Sequence, residues 1–446
     1  MRGEHKAVGG IAEKNYTAPG GAGRACPART RWTVRGPLSP RMRIVLVYQH
    51  FMVGGVGSTK PYDLARSLRA AGHDVTVICG RGYLSQGMDV PRGLVNRLVI
   101  GGVNVICLGV DYRQQMAFGR RVAAFLAFTV LAMLTVAFQR HYDVLLVSST
   151  PLTVGMLGLV SRYVRRIPYV FEIRDLWPEV PYRAGFLHSK ALFRLSTLFE
   201  EWFYRESAAV CAISRRMCDR LIERGVPARK VHFVPTGVAL AEYDTEPDRA
   251  FLEANGLAGC WVAAYVGSHG RVNALDYLVA AAEHLQGEGN IRIVAIGDGS
   301  EKRRLRAEAQ RRGVLGGPLV MLDPVPRRQV PGILMACDAM LMINSSRPGM
   351  GYLMTNKFFD YLASGRPIVA NVRAELTEWM LHAGCGELAD PDDPQALAEA
   401  LRRLRDDPDR AARMGSQGRE LARREFDRHR LGRRWERILA AAAHVS

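Results

Sequence analysis

The stretch Gly349-Met-Gly-Tyr-Leu-Met-Thr-Asn-Lys-Phe-Phe-Asp-Tyr-Leu-Ala-Ser-Gly-Arg-Pro-Ile-Val369 decides how the rest of the chain is read. A glycine-rich loop leads into a capping residue, Thr355 or Asn356, and then a short helix. The helix stops at Gly365-Arg366-Pro367, ahead of the apolar strand Ile368-Val369-Ala370. Lys357 is thereby delivered to a helix N-terminus, where unpaired N–H groups and the positive end of the helix dipole converge. An added ammonium suits that place to a diphosphate. Asp360, about one turn further along the same face, reads as a carboxylate able to accept hydrogen bonds from ribose hydroxyls. Each residue also has a plainer reading, Asp360 as a dipole complement and Lys357 as a solvated cation.

Working back from this stretch, Ala339-Met-Leu-Met-Ile343 is the strand that feeds it, and Trp261-Val-Ala-Ala-Tyr-Val266 opens the same strand-helix alternation. Gly267-Ser-His-Gly-Arg-Val-Asn273 then turns into a helix. Gly267 and Gly270 allow close approach of a ligand, and Arg271 can reach an anion at the helix start. Ile291 to Ile296 is a further strand, running into the turn Gly297-Asp298-Gly299. Asp390-Pro-Asp-Asp-Pro394 sits in a Pro-rich turn before a helix and reads as turn and cap, so no metal is expected.

The first half repeats the alternation. Arg43-Ile-Val-Leu-Val-Tyr48 is an apolar run of the kind expected of a parallel strand buried on both faces. It is followed by a loop containing Gly54, Gly55 and Gly57, a helical pattern from Pro61 to Ala71, and the strand His73 to Ile78. The glycine spacing is not Gly-x-Gly-x-x-Gly and no acid ends the second strand, which disfavours a dinucleotide fingerprint. Tyr169-Val-Phe-Glu-Ile173 is another strand, followed by Arg174-Asp-Leu-Trp-Pro-Glu179. Ligands bind at strand C-termini in such sheets, so Glu172, Arg174, Asp175 and Glu179 are candidates for a cleft wall. Trp177 and Pro178 read as packing and turn residues.

At 446 residues, 48% of them apolar and 23% charged, the chain is long enough for two cores. Residues 1–41 are rich in Gly, Pro and Arg without periodicity and read as a disordered extension, with Met42 a plausible start of the folded chain. Domains are expected over 42–240 and 241–446, joined by the polar connector Glu242 to Arg249. The net charge of +18 favours anionic partners. Nucleic acid ranks last, because neither aromatic platforms nor a helix-turn-helix pattern accompany the charge. The eight cysteines show no metal or disulfide spacing and suit a reducing cytoplasm. Val122 to Phe138 is an uncharged, mostly apolar run between Arg120-Arg121 and Arg140. A spanning helix there would divide one sheet between two sides of a bilayer, so a core helix or one docked on an anionic inner-membrane surface is expected.

The 349–369 stretch resembles the nucleotide-sugar site of GT-B glycosyltransferases of family 4, in particular the WbuB-like group, with its Lys-Φ-Φ-Asp/Glu-Tyr-Leu-Ala-x-Gly-Arg-Pro pattern. The Glu-x-Arg-Asp-Leu-Trp-Pro-Glu segment at 172–179, the Gly-Ser-His-Gly loop at 267–270 and the Gly-Asp-Gly turn at 297–299 are similar to parts of the same group. The resemblance covers about residues 42 to 440. It implies two Rossmann-like domains facing each other across a cleft, with the final helix returning to the first domain. It further implies retaining, metal-independent transfer of a sugar, an N-acetylhexosamine, from a UDP-sugar to a lipid-linked or polysaccharide acceptor in surface glycan biosynthesis. No cofactor beyond the donor is expected. On this resemblance Asp175, Lys357 and Arg271 are the catalytic candidates. Gly54, Gly55, Gly267, Gly270, Asp298, Asn356 and Asp360 would hold the nucleotide-sugar, and Glu172, Arg174 and Glu179 would face the acceptor. One departure stands out: the family's first acid would fall eight residues before Asp360, where this chain has Tyr352. The alternatives are a non-catalytic membrane-docked partner of a polysaccharide assembly complex and a sugar-nucleotide 2-epimerase on the same fold.

Overall fold

The computed structural model describes residues 40–444 apart from 54–58, 113–115, 150, 180–181, 183–188, 346–349 and 353. Two parallel-sheet α/β units account for nearly all of it. The first sheet contains β1 (Arg43–Tyr48), β2 (Asp74–Gly80), β3 (Val95–Ile100), β4 (Val103–Leu108), β5 (Val144–Ser148), β6 (Tyr169–Ile173), β7 (Ala209–Ala212) and β8 (Val231–Phe233). Its spatial order is β3-β4-β2-β1-β5-β6-β7-β8, parallel except for the antiparallel β3–β4 pair at one edge. The second sheet contains β9 (Trp261–Val266), β10 (Ile291–Ile296), β11 (Leu319–Leu322), β12 (Ala339–Met342), β13 (Ile368–Ala370) and β14 (Gly386–Leu388), in the order β11-β10-β9-β12-β13-β14.

The central strands are almost wholly buried, because helices cover both faces of each sheet, and this explains their unbroken apolar runs. The helices that matter below are α1 (Lys60–Ala70), α2 (Phe118–Phe138), α3 (Lys190–Glu206), α4 (Arg215–Glu223), α5 (Asn356–Ser364), α6 (Glu375–Ala383) and α7 (Arg428–Ala443). The last of them packs on α1, and Trp435, Leu439 and Ala442 join the core of the first domain.

The chain crosses between the domains at two adjacent places. Val238 N donates to Phe426 O at 2.9 Å and Arg428 N to Val238 O at 2.9 Å, so the outgoing and returning segments are bonded side by side. Gly237 makes this possible: its φ is +64°, and a Cβ there would lie 2.3 Å from Phe426 O. A second bond between the domains involves a charge. Glu375, at the start of α6, accepts from Arg215 N at 2.8 Å, from Arg216 N at 2.9 Å and from the Ser214 hydroxyl. A carboxylate of the second domain thus caps a helix of the first, where the dipole favours negative charge. Arg215 completes this contact by lying 4.4 Å from the centroid of the Trp379 ring.

Candidate active site

In an open parallel sheet, ligands bind beyond the strand C-termini at the place where the strand order reverses. In the second sheet that place lies between β9 and β12, since β10 and β11 run outward from one side and β13 and β14 from the other. Lys357 sits there. Its Nζ donates to Tyr265 Oη at 3.0 Å, Asn273 Oδ1 at 3.0 Å and Ile343 O at 3.4 Å, and lies 4.3 Å from the Tyr265 ring centroid. Tyr265 is the penultimate residue of β9, Asn273 closes the loop after it, and Ile343 follows β12. Every one of these partners is neutral. Burial without a compensating carboxylate pushes the ammonium down to about 7, although the side chain remains half-buried. Among the described residues Thr355 makes no side-chain cap hydrogen bond to the start of α5, where Phe358 N donates to Thr355 O at 3.2 Å.

Two glycine turns frame the lysine. His269 N donates to Asp298 O at 2.8 Å and Glu301 N to His269 O at 2.9 Å, which presses the 267–270 loop onto the 297–299 turn. A Cβ on Gly299 would lie 2.5 Å from the His269 carbonyl carbon, so only glycine permits this approach. His269 is fully buried, and neither ring nitrogen has a hydrogen-bond partner among the described residues. Burial, with Lys302 and Lys357 nearby, pushes its imidazole down to about 4, so the ring is neutral at pH 7.

The donor-side residues expected from the sequence divide in four. Gly267 lies directly against Lys357, a Cβ there being 3.7 Å from the lysine Cδ, and Gly270 opens the short turn Arg271–Asn273. Arg271, Asp298 and Asn356 occupy the rim. The Arg271 side chain is 86% exposed and pairs with Glu301 at 3.3 Å; Asp298 contributes its carbonyl while its side chain is exposed; Asn356 is exposed at the start of α5. Asp360 requires a correction. Arg327 donates to both of its oxygens at 2.6 Å, and the Tyr243 hydroxyl donates to Oδ1 at 2.9 Å. Arg327 also reaches Glu242 at 2.9 Å. The carboxylate therefore anchors α5 onto the interdomain connector, with Arg327 and Tyr243 taking three of its acceptor positions. Gly54 and Gly55 lie outside the described residues.

Glu172 needs the same correction. It is fully buried at the end of β6, where Lys60 of α1 donates to Oε1 and the Tyr48 hydroxyl to Oε2 at 2.9 Å. Burial opposes its charge, but Lys60 and Arg174 hold the carboxyl below its ordinary range. It ties β6 to β1 and α1, and does not face an acceptor. Arg174 is half-buried and Asp175 is exposed beyond it, followed by a cis Trp177–Pro178 peptide. Glu179 is buried and accepts from Arg220 Nε at 3.1 Å.

Three residues carry more than the sequence reading gave them. Tyr265 and Asn273 hold the lysine. His50, just after β1, packs against the rings of Tyr83 at 4.6 Å and Tyr112 at 4.9 Å, and burial beside Arg174 pushes it down to about 4. The sequence signal for His50 is its place just beyond the C-terminus of a central strand, where ligands bind in such sheets. The motif loop lies at the domain boundary: Arg216 of α4 donates to Gly351 O at 3.2 Å, and its other arm pairs with Glu378.

Comparison with known proteins gives the same two halves. Residues 54–237 match the glycosyl transferase 4-like domain, and residues 261–407 match glycosyl transferases group 1. A glycogen synthase of Mycobacterium tuberculosis is 24% identical over 417 residues, 91% of this chain and 94% of that protein. Among solved structures, a sucrose-phosphate synthase from Thermosynechococcus elongatus superposes with a TM-score of 0.70 at 18% identity, covering 89% of this chain and 98% of that one. Anabaena Alr3699/HepE, in complex with UDP and glucose, gives 0.66 at 18% identity, covering 90% and 100%. Both solved structures share the two-domain fold. With both domain matches in their expected order and the sheet arrangement to go with them, the chain belongs to the GT-B glycosyltransferases of the family 4 type.

Proposed function

We propose that the protein is a retaining, metal-independent transferase that moves a sugar, in our reading an N-acetylhexosamine, from a UDP-sugar to a hydroxyl of a lipid-linked or polysaccharide acceptor at the inner face of the plasma membrane. The observation that carries the donor half is Lys357: a cation at the sheet's switch point, wrapped in neutral oxygens, with a helix start beside it. A diphosphate supplies the negative charge this arrangement lacks. The bound UDP of Alr3699/HepE and the polymer-forming activity named for the mycobacterial relative support nucleotide and glycan as the two substrates.

In the reaction, charge develops on the departing diphosphate as the anomeric bond breaks. Lys357 and the first N–H groups of α5 stabilise that charge most where it is largest, which lowers the barrier. Arg271 on the rim assists by steering the anion toward the site. Asp175, exposed at the end of the β6 loop, orients the acceptor hydroxyl, and the leaving phosphate takes its proton. The test has two parts. Calorimetry with UDP-N-acetylglucosamine and other UDP-sugars establishes the donor, and proton NMR of the product in an acceptor-dependent reaction reads the anomeric configuration. An inverted product, or donor binding unaffected by Lys357→Ala, overturns the reading.

A further inference from the structure

Helix α2 has two opposed faces. Phe128, Ala132 and Val136 are fully buried on the domain, and Thr129 bonds Thr153 at 2.8 Å, so the helix is fixed in place along its length. Two positions round the wheel, Leu126, Val130, Leu134 and Phe138 are 51%, 53%, 52% and 83% exposed. The helix is long and apolar enough to cross a bilayer, yet its other face is buried against the 152–164 segment and β4. It can present only its outer side to another phase.

That apolar face continues onto other segments. Arg165 donates to Gln139 O at 3.1 Å, which brings the end of the helical segment 155–164 beside the end of α2. Tyr163 and Val164, exposed at this junction, lead to α3, because the Tyr163 ring lies 6.4 Å from the Trp202 ring. From Trp202 the line follows α3 back through Leu198, Leu195 and Leu192, which are 64%, 51% and 50% exposed and spaced three residues apart. Arg120, Arg140, Arg162, Arg166, Lys190 and Arg194 are exposed on the same three segments, against the exposed acid Glu201.

We propose that this band, running from α2 across residue 164 to α3, is a docking face for an anionic phospholipid bilayer. It deepens the membrane location proposed above by naming the surface that meets the lipid. A contiguous apolar band with a basic border fits the interfacial region of such a bilayer, with the leucines among the acyl chains and the arginines at the headgroups. The border also argues against a second copy of the chain as the occupant, since two such faces would bring arginines against arginines.

Cosedimentation of the full chain with phosphatidylcholine vesicles, with and without phosphatidylglycerol, tests the assignment. Binding is expected to anionic vesicles and about tenfold weaker to neutral ones. The pairs Leu126→Glu/Leu134→Glu and Leu195→Glu/Leu198→Glu should each reduce partitioning about tenfold or more, whereas Leu381→Glu on α6 leaves it unchanged. UDP-sugar binding, measured on every variant, confirms folding and separates loss of this proposal from loss of the transferase reading. The proposal is overturned if the wild type ignores both vesicles, if the α3 pair partitions like wild type, or if ultracentrifugation shows a dimer that the substitutions turn into monomers.

Discussion

Two lysines occupy comparable positions and have opposite fates. Lys60 and Lys357 each lie in the first turn of a helix that follows a central strand and its loop, one in each domain, and each sits over an aromatic ring, Trp435 at 5.9 Å and Tyr265 at 4.3 Å. Lys60 is 4% exposed and meets the carboxylate of Glu172. Lys357 meets only neutral oxygens among the described residues. Position in the fold therefore does not by itself set a lysine's role; in the function proposed above, the absence of a counter-charge does. A buried pair is internally satisfied and holds strands together, whereas an uncompensated ammonium is costly until an anion arrives. The same distinction marks Asp360, whose charge is met by Arg327.

The contrast can be broken most directly at Lys60. Lys60→Met leaves Glu172 buried without its cation and should destabilise the protein by about 3–5 kcal/mol in chemical denaturation. If the variant instead keeps its stability and loses donor affinity, the two lysines are not different in kind. Lys357→Ala should do the reverse, weakening UDP-sugar binding by about 2–3 kcal/mol in calorimetry while leaving denaturation unchanged or slightly improved. Asp360→Asn should cost about 2 kcal/mol of stability, less than Lys60→Met because Arg327 keeps Glu242, and should alter donor affinity less than about threefold.

The smallest effect sharpens the comparison through pH. With its folded value lowered to about 7 by burial, Lys357 is charged below that pH and neutral above it in the free protein. Anion binding above pH 7 must draw in a proton, so donor affinity should be flat below pH 7 and fall by up to about tenfold per unit above it. The unfolded chain keeps the extra proton up to the ordinary lysine range, so the unliganded protein gains stability as pH rises from 7. A UDP-sugar is the suitable probe, because the terminal phosphate of UDP titrates near pH 6 itself. A flat profile in Lys357→Ala assigns the slope to this residue.

Most of the architecture was readable because it is written in local pattern. The apolar runs at 43–48, 169–173, 261–266 and 291–296 coincide with β1, β6, β9 and β10, and the run ending at Phe138 is the helix α2. The edge pair β3–β4 escaped notice: Val95–Ile100 alternates in exposure on a strand with one neighbour, which gives no continuous apolar signal. The site was legible at Lys357 for the same local reason, a loop delivering a cation to a helix start. The partners were not. Lys60 meets Glu172 across 112 residues and Arg327 meets Asp360 across 33, and nothing in either local sequence announces those pairings. The apolar face of α3 was hidden because its leucines are as compatible with a core as with a surface.

The paired crossing at Val238 and Asp427 constrains how the halves of this enzyme can move. Rotation about the axis joining them would shear the two backbone bonds that run between the segments, while tilting leaves those bonds intact. Tilting is thus the soft direction, and it works against the Glu375 cap, which lies beside the crossing because Trp379 on the same helix packs 5.3 Å from the Phe426 ring. Among the described residues, opening the halves would pull the Glu375 carboxylate from the end of a helix and would also part Arg216 from Gly351 and Glu378.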